Sequence, residues 1–202
     1  PRGGPFGALE VAEARGAAPL FSLALRQSAA SRDVKLAKAM RSVAALLTPG
    51  RLELAKVCEA WCREVQAVLG ADRCTLFLYD EPRNQLVSYV AEGVDKQLTL
   101  PLDAGVGIAA TCAKSRQSIN IESAYDDPRF NRAVDDVSGY TTRSILAMPF
   151  ESCSSGELMG VCQLLNKVGT DGAHFDGDDE EILGSVLKLA ALAIENNQLC
   201  RD

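Results

Sequence analysis

The chain has 202 residues, of which 47% are hydrophobic and 24% charged, with a formal net charge of -6. This is enough for one core-bearing domain with helical extensions. It argues against non-specific nucleic-acid binding, since no Lys/Arg run is present to neutralise a phosphate backbone. A single histidine, His174, disfavours serine hydrolases, metal-dependent phosphohydrolases and most general-base enzymes, so the chain alone reads as no enzyme.

Residues 1–32 are rich in Ala, Gly, Ser and Arg and carry Pro1, Pro5 and Pro19, the composition of a linker or poorly ordered lead. The opening Pro1 suggests a piece of a longer protein. Leu36, Met40, Val43 and Leu47 then recur at helical steps, and the stripe ends before Pro49. Thr48-Pro49 opens a second helix with an apolar set including Leu52, Cys58, Trp61, Cys62, Val65 and Leu69, closed by Gly70. Residues 33–69 are thus expected to be connecting and packing helices, covering a sheet or pairing with a partner chain, and 70–202 the main domain.

After Asp72 the apolar period becomes two. Strands are expected at 73–80 and 85–92 around the turn Glu81–Asn84, then at 97–102, where Pro101 suits an edge. A short helix follows Gly107, a fourth strand covers 118–123, and a polar loop runs to Thr142. The segments 144–151 and 158–167 form a second hairpin, and a helix spans 178–199. Six strands, two hairpins and helices at both ends indicate an α+β domain with an antiparallel sheet.

The seven cysteines (58, 62, 74, 112, 153, 162 and 200) are odd in number and form no CxxC pair. They read as small buried hydrophobes in a reducing, cytoplasmic setting, with no metal or cofactor implied. No apolar run reaches the roughly 18 residues of a membrane span.

Gly105, Gly107 and Ala110 match G-x-G-x-x-A, but the antiparallel strand series and Pro101 oppose a dinucleotide fold. The glycines serve either a tight turn or close backbone approach to an anion at a helix start. Gln163 shares strand parity with Met159, Val161 and Leu165, so one amide interrupts an apolar face and needs a ligand or protein partner. Thr75 alternates in the same way with Phe77 and Tyr79. Asp135-Asp136 fits a helix cap, a solvated acidic turn or a ligand contact.

Asn166, Lys167, Phe175, Asp179 and Glu180 stand where the last strand meets the last helix. A strand-end Lys can reach a carboxylate in the first helical turn, where the dipole favours acids, and Phe175 can plug the junction. This Asn-Lys, Phe-x3-Asp-Glu spacing resembles the signature of GAF domains found beside the catalytic domains of cyclic nucleotide phosphodiesterases and some adenylyl cyclases. The similarity extends from about Cys74 to Leu199. It implies a GAF fold with a six-stranded antiparallel sheet, used as a regulatory sensor that binds cAMP or cGMP, dimerises through flanking helices and signals to an effector domain.

By the same resemblance the cyclic phosphate would meet the backbone amides of Ile108 and Ala109. The purine would meet Glu92, Asp135, Ser138, Thr142 and Gln163, with Thr75 nearby, under a lid formed by residues 123–142. Ala91 and Asn131 replace aromatics that some members carry, and losing a stacking platform costs roughly 1 to 3 kcal/mol. The alternative is a GAF dimerisation scaffold without a nucleotide.

Overall fold

The computed structural model describes residues 54–91, 98–104, 107–169 and 173–199, together with 30, 33, 34, 36–38, 40 and 41. Most of the expected lead, Thr48-Pro49, Gly105 and Glu92 lie outside the described residues, as do the side chains of Ala91 and Ser138. The elements are α1 (Leu54–Leu69), β1 (Ala71–Asp80), β2 (Gln85–Ala91), β3 (Thr99–Pro101), α2 (Ile108–Ser115), β4 (Ile119–Ile121), α3 (Ala133–Ser138), β5 (Ile145–Glu151), β6 (Leu158–Lys167) and α4 (Gly177–Leu199).

The strands form one sheet in the order β3-β2-β1-β6-β5-β4, every pair antiparallel. β3 is one of the two edge strands, where Pro101 removes no ladder donor that a further strand would need. Alternate side chains leave opposite faces, so one sheet serves two cores. Cys74, Leu76, Leu146, Cys162 and Leu164 meet Trp61 and Val65 of α1 and Ile182, Leu183 and Leu187 of α4. Phe77, Leu86, Ile145, Ala147 and Val161 face the other way, against Ile108, Ala109 and Cys112 of α2. Leu36, before α1, also packs on the α1/α4 core.

Met159 departs from the expected parity. Phe150 pairs with Gly160 but Glu151 pairs with Leu158, so Met159 is an extra residue in a bulge. The slip turns Met159 onto the α1/α4 core while Val161 and Leu165 belong to the α2 face. Gly160 is required where strands crowd: a Cβ there would overlap the Phe77 carbonyl and press the Phe150 ring. The polar segment expected between β4 and β5 is not a plain loop, for it contains a 3-10 turn, Ala124–Asp126, and α3. Among the described residues no helix is long and apolar enough to cross a membrane.

Candidate functional site

Gln163 stands at the centre of a row crossing the sheet. It pairs with Thr75 on β1 and Ala147 on β5; Thr75 pairs in turn with Ala91 on β2, and Ala147 with Ile119 on β4. The adjoining rows on the α2 face carry Phe77 and Val161 on one side and Ile145 and Leu165 on the other. From Ala147 to Ala91 a small and polar stripe therefore runs between two bulky apolar rows, and Gln163 is half-buried within it.

α2 lies over β5 and β6. Gly107 precedes it with φ 96, a backbone conformation that side-chain-bearing residues rarely adopt. Ile108 and Ala109 follow, both buried. The first-turn N–H groups of a helix have no intrahelical acceptor, so this end presents amide donors.

The 123–142 segment is fastened from inside. Asp135 is 5% exposed. Its Oδ2 accepts from Thr142 N at 2.6 Å and from the Tyr125 hydroxyl at 3.0 Å, and its Oδ1 accepts from Thr142 Oγ1 at 2.8 Å. Asp135 is thus neither a solvated turn residue nor a helix cap. Its carboxylate closes the segment on its own end, while Asp136 is exposed. Desolvation, then the Asp135 bond, pushes the Tyr125 phenol up, which keeps it a donor. Asn131 is exposed, and its Oδ1 accepts from Ala133 N at 3.1 Å, an Asx-type contact at the start of α3.

Asn166 and Lys167, adjacent in sequence, make two junctions rather than one clamp. Asn166 is buried at φ 54. Its Oδ1 accepts from Arg143 N at 2.6 Å and Ser144 N at 3.3 Å, while Nδ2 donates to Tyr140 Oη at 2.8 Å and Thr141 O at 2.9 Å. Asn166 thereby ties the end of the 123–142 segment to β6. Tyr140 is held further: its hydroxyl donates to Asp72 Oδ2 at 2.6 Å, and the Arg73 guanidinium lies 3.7 Å from its ring centroid. Burial raises the Tyr140 phenol pKa, and the Asp72 carboxylate adds to the rise.

Lys167 Nζ donates to Asp179 Oδ1 at 2.7 Å and Oδ2 at 2.6 Å, and to Leu69 O at 2.7 Å. One ammonium therefore satisfies a terminal carbonyl of α1, where the dipole is negative, and a carboxylate in the first turn of α4. Asp176 and Asp179 also exchange backbone-to-carboxylate bonds at 2.9 and 3.2 Å, a reciprocal cap. Phe175 is 1% exposed beneath them, a burial that contributes roughly 2 to 3 kcal/mol. Glu180 turns instead to the sheet edge, accepting from Asn120 Nδ2 at 2.9 Å and Ser118 Oγ at 3.4 Å. Asn120 also donates to Phe175 O at 2.9 Å.

Tyr125, Tyr140 and Asn120 were missed by the sequence reading. Only Asn120 carries a local signal, a polar residue alternating with Ile119 and Ile121; the tyrosines are recognisable only once the chain has folded back. His174 is partly exposed, its Nε2 3.6 Å from Glu122 Oε1. Cys112 and Cys162 are fully buried; burial pushes the Cys112 thiol up to about 12 and raises Cys162 as well. Both thus favour the thiol over the reactive thiolate.

An antiparallel six-stranded sheet with terminal helices on one face, and a short helix with a latched loop on the other, defines a layered α+β module. Comparison with known proteins gives the particular family: the GAF domain profile matches residues 53–194, and this chain belongs to that family. Among solved structures, the GAF domain of a phosphoenolpyruvate-protein phosphotransferase from Coxiella burnetii superposes with a TM-score of 0.69 at 19% identity, covering 82% of this chain and 96% of that one. A free methionine-R-sulfoxide reductase from Neisseria meningitidis gives 0.68 at 14% identity, over 84% and 93%. At these identities the likeness is one of fold.

Sequence relatives are more specific. The chain is 34% identical over 163 residues to the dual 3',5'-cyclic-AMP and -GMP phosphodiesterase 11 of Drosophila melanogaster, and 37% identical over 142 residues to phosphodiesterase 11A of Takifugu rubripes. These alignments take in 73% and 65% of this chain but only 11% and 16% of the relatives. The chain thus corresponds to a small part of each phosphodiesterase.

Proposed function

We propose that this domain is the regulatory cyclic nucleotide sensor of a phosphodiesterase, binding cAMP or cGMP between α2, the Thr75–Gln163–Ala147 stripe and the 123–142 lid. The observation that carries the reading is this stripe, where a half-buried amide sits in an otherwise apolar face beside a helix start. Gln163 and Thr75 supply groups for a purine edge, and the amides of Ile108 and Ala109 suit a phosphate. Glu92, Asp135, Ser138 and Thr142 complete the proposed contact set, with Ala91 and Asn131 at its margin.

Occupancy acts without chemistry on the ligand. A nucleotide that engages Asp135 or Thr142 competes with the lid's own latch, and the lid's end is tied to Asn166, the residue before Lys167. Lys167 holds both α1 and α4, so a shift in lid population is passed to the helices that lead towards an effector. Isothermal titration with each nucleotide tests this. Heat, together with a thermal shift consistent with about 2.7 kcal/mol at a hundredfold excess over Kd, supports it. Neither nucleotide giving heat or a shift at millimolar concentration rejects it.

The second reading, a nucleotide-free dimerisation scaffold, is favoured by the lid's internal satisfaction and by exposed apolar residues on the flanking helices. Val34 is 67% exposed, and Met40 and Leu192 are each 40% exposed. A dimer in light scattering that is indifferent to nucleotide, together with silent titrations, selects this alternative.

A further inference from the structure

The turn between β5 and β6, Ser152 to Glu157, is exposed except for half-buried Ser152. Its backbone is closed by Ser152 N to Glu157 O at 2.8 Å and Gly156 N to Ser152 O at 2.9 Å, with Gly156 at φ 71. The three serines have different tasks. Ser152 Oγ accepts from the amides of Ser154 and Ser155 at 3.2 and 3.0 Å, so it builds the turn. Ser155 Oγ accepts from Glu157 N at 3.3 Å and contacts the Glu157 carboxylate. Ser154 Oγ lies 3.0 Å from Ser152 Oγ within the turn and also reaches α4, 3.5 Å from Glu195 Oε1. Beside it, exposed Cys153 lies with Sγ 3.9 Å from Lys188 O on the same helix.

We propose that Ser154 is a phosphorylation site whose modification releases this turn from α4. The local sequence suits an acidophilic Ser/Thr kinase: Glu157 stands at the third position after Ser154 and Glu151 at the third before it. A substrate groove lined with Arg and Lys recognises that charge pattern. In the transfer, Ser154 Oγ forms a bond to the γ-phosphorus of a nucleoside triphosphate. The bond from that phosphorus to the β–γ bridging oxygen breaks, the diphosphate leaves, and the hydroxyl proton is released.

The product places a group of about two negative charges where a hydroxyl now approaches the Glu195 carboxylate, exchanging a hydrogen bond for like-charge repulsion. α4 is the helix that Lys167 secures at its other end, so the turn is a second point at which the helix can be loosened. The proposal goes beyond nucleotide binding and does not depend on it.

The test incubates the 202-residue chain with ATP and an acidophilic Ser/Thr kinase, maps the phosphate by mass spectrometry and follows amide exchange. Stoichiometric phosphate on Ser154, abolished in S154A, is expected. Exchange across 152–157 and 188–195 should rise about fivefold, as a screened like-charge contact at this range predicts. E195Q should take up phosphate equally but show a smaller rise, and high salt should shrink the rise in the unmutated chain. A folded chain that takes no phosphate at Ser154 overturns the proposal. So does phosphate at Ser154 with unchanged exchange in 188–195, or a rise that E195Q fails to reduce.

Discussion

Replacing Lys167 by Met removes the charge that the Asp179 carboxylate and the Leu69 carbonyl depend on while keeping most of the side chain's length. Asp179 is 1% exposed, so its carboxylate would be left almost out of water with its partner gone. Breaking a buried ion pair by removing one member costs about 3 to 5 kcal/mol. The Lys167 side chain retains 17% exposure, so solvent can partly replace it and the lower figure applies. The Leu69 carbonyl loses its donor too, adding roughly 1 kcal/mol. The expected loss is therefore about 4 kcal/mol, a large share of a domain's typical stability of roughly 5 to 15 kcal/mol.

Urea unfolding of K167M, D179L and the double variant at neutral pH measures this as a double-mutant cycle. The double variant should be much less damaged than the two singles added together, because it leaves no uncompensated charge. R83A is the control. Its bond to Asp80 is as short as 2.9 Å, but the arginine is 74% exposed, and its removal should cost less than about 0.5 kcal/mol. K167M unfolding within 1 kcal/mol of the parent would refute the assignment of Lys167 as the tie between α1 and α4.

Gly160→Ala must force apart β6 and β1 at the Phe77 carbonyl; a loss of about 3 kcal/mol or failure to fold is expected from denaturation or expression yield. Asn166→Ala strands the amides of Arg143 and Ser144 and places a Cβ-bearing residue at φ 54 without local polar compensation; about 2 to 3 kcal/mol should be lost, with Asn166→Gly recovering part of it through its backbone freedom. The buried thiols Cys58 and Cys112 are raised from an ordinary 9.0 to about 12, desolvation leading in each. Above pH 9 the unfolded chain gives up protons that the folded chain retains, so their stabilising effect is complete below pH 9 and is lost as pH climbs towards 12. Unfolding curves across that window should flatten in C58A/C112A. Cys153 is exposed whereas Cys58, Cys62, Cys74, Cys112 and Cys162 are buried. A thiol reagent at pH 8 should modify Cys153 quickly and these five only on unfolding, as mass mapping will show.

The strands, the edge position of β3 and the last helix were legible because they depend on local periodicity and on residues that forbid alternatives, such as Pro101. The acidic start of α4 and a lysine at the end of β6 likewise suggested an ion pair across one short connection. What needed the tertiary structure was everything decided by chain segments far apart in sequence. Met159 reverses face because a bulge against β5 adds one residue, and no one-dimensional pattern records that slip. Asp135 has the same composition signal in a solvated turn as in a buried latch. Only the return of Thr142 and Tyr125 distinguishes the two, since a carboxylate's role is set by the donors that surround it. Lys167 could be paired from sequence with Asp179, but its hold on the Leu69 carbonyl, 98 residues earlier, exists only because β1 and β6 lie side by side and bring two helix ends to one ammonium.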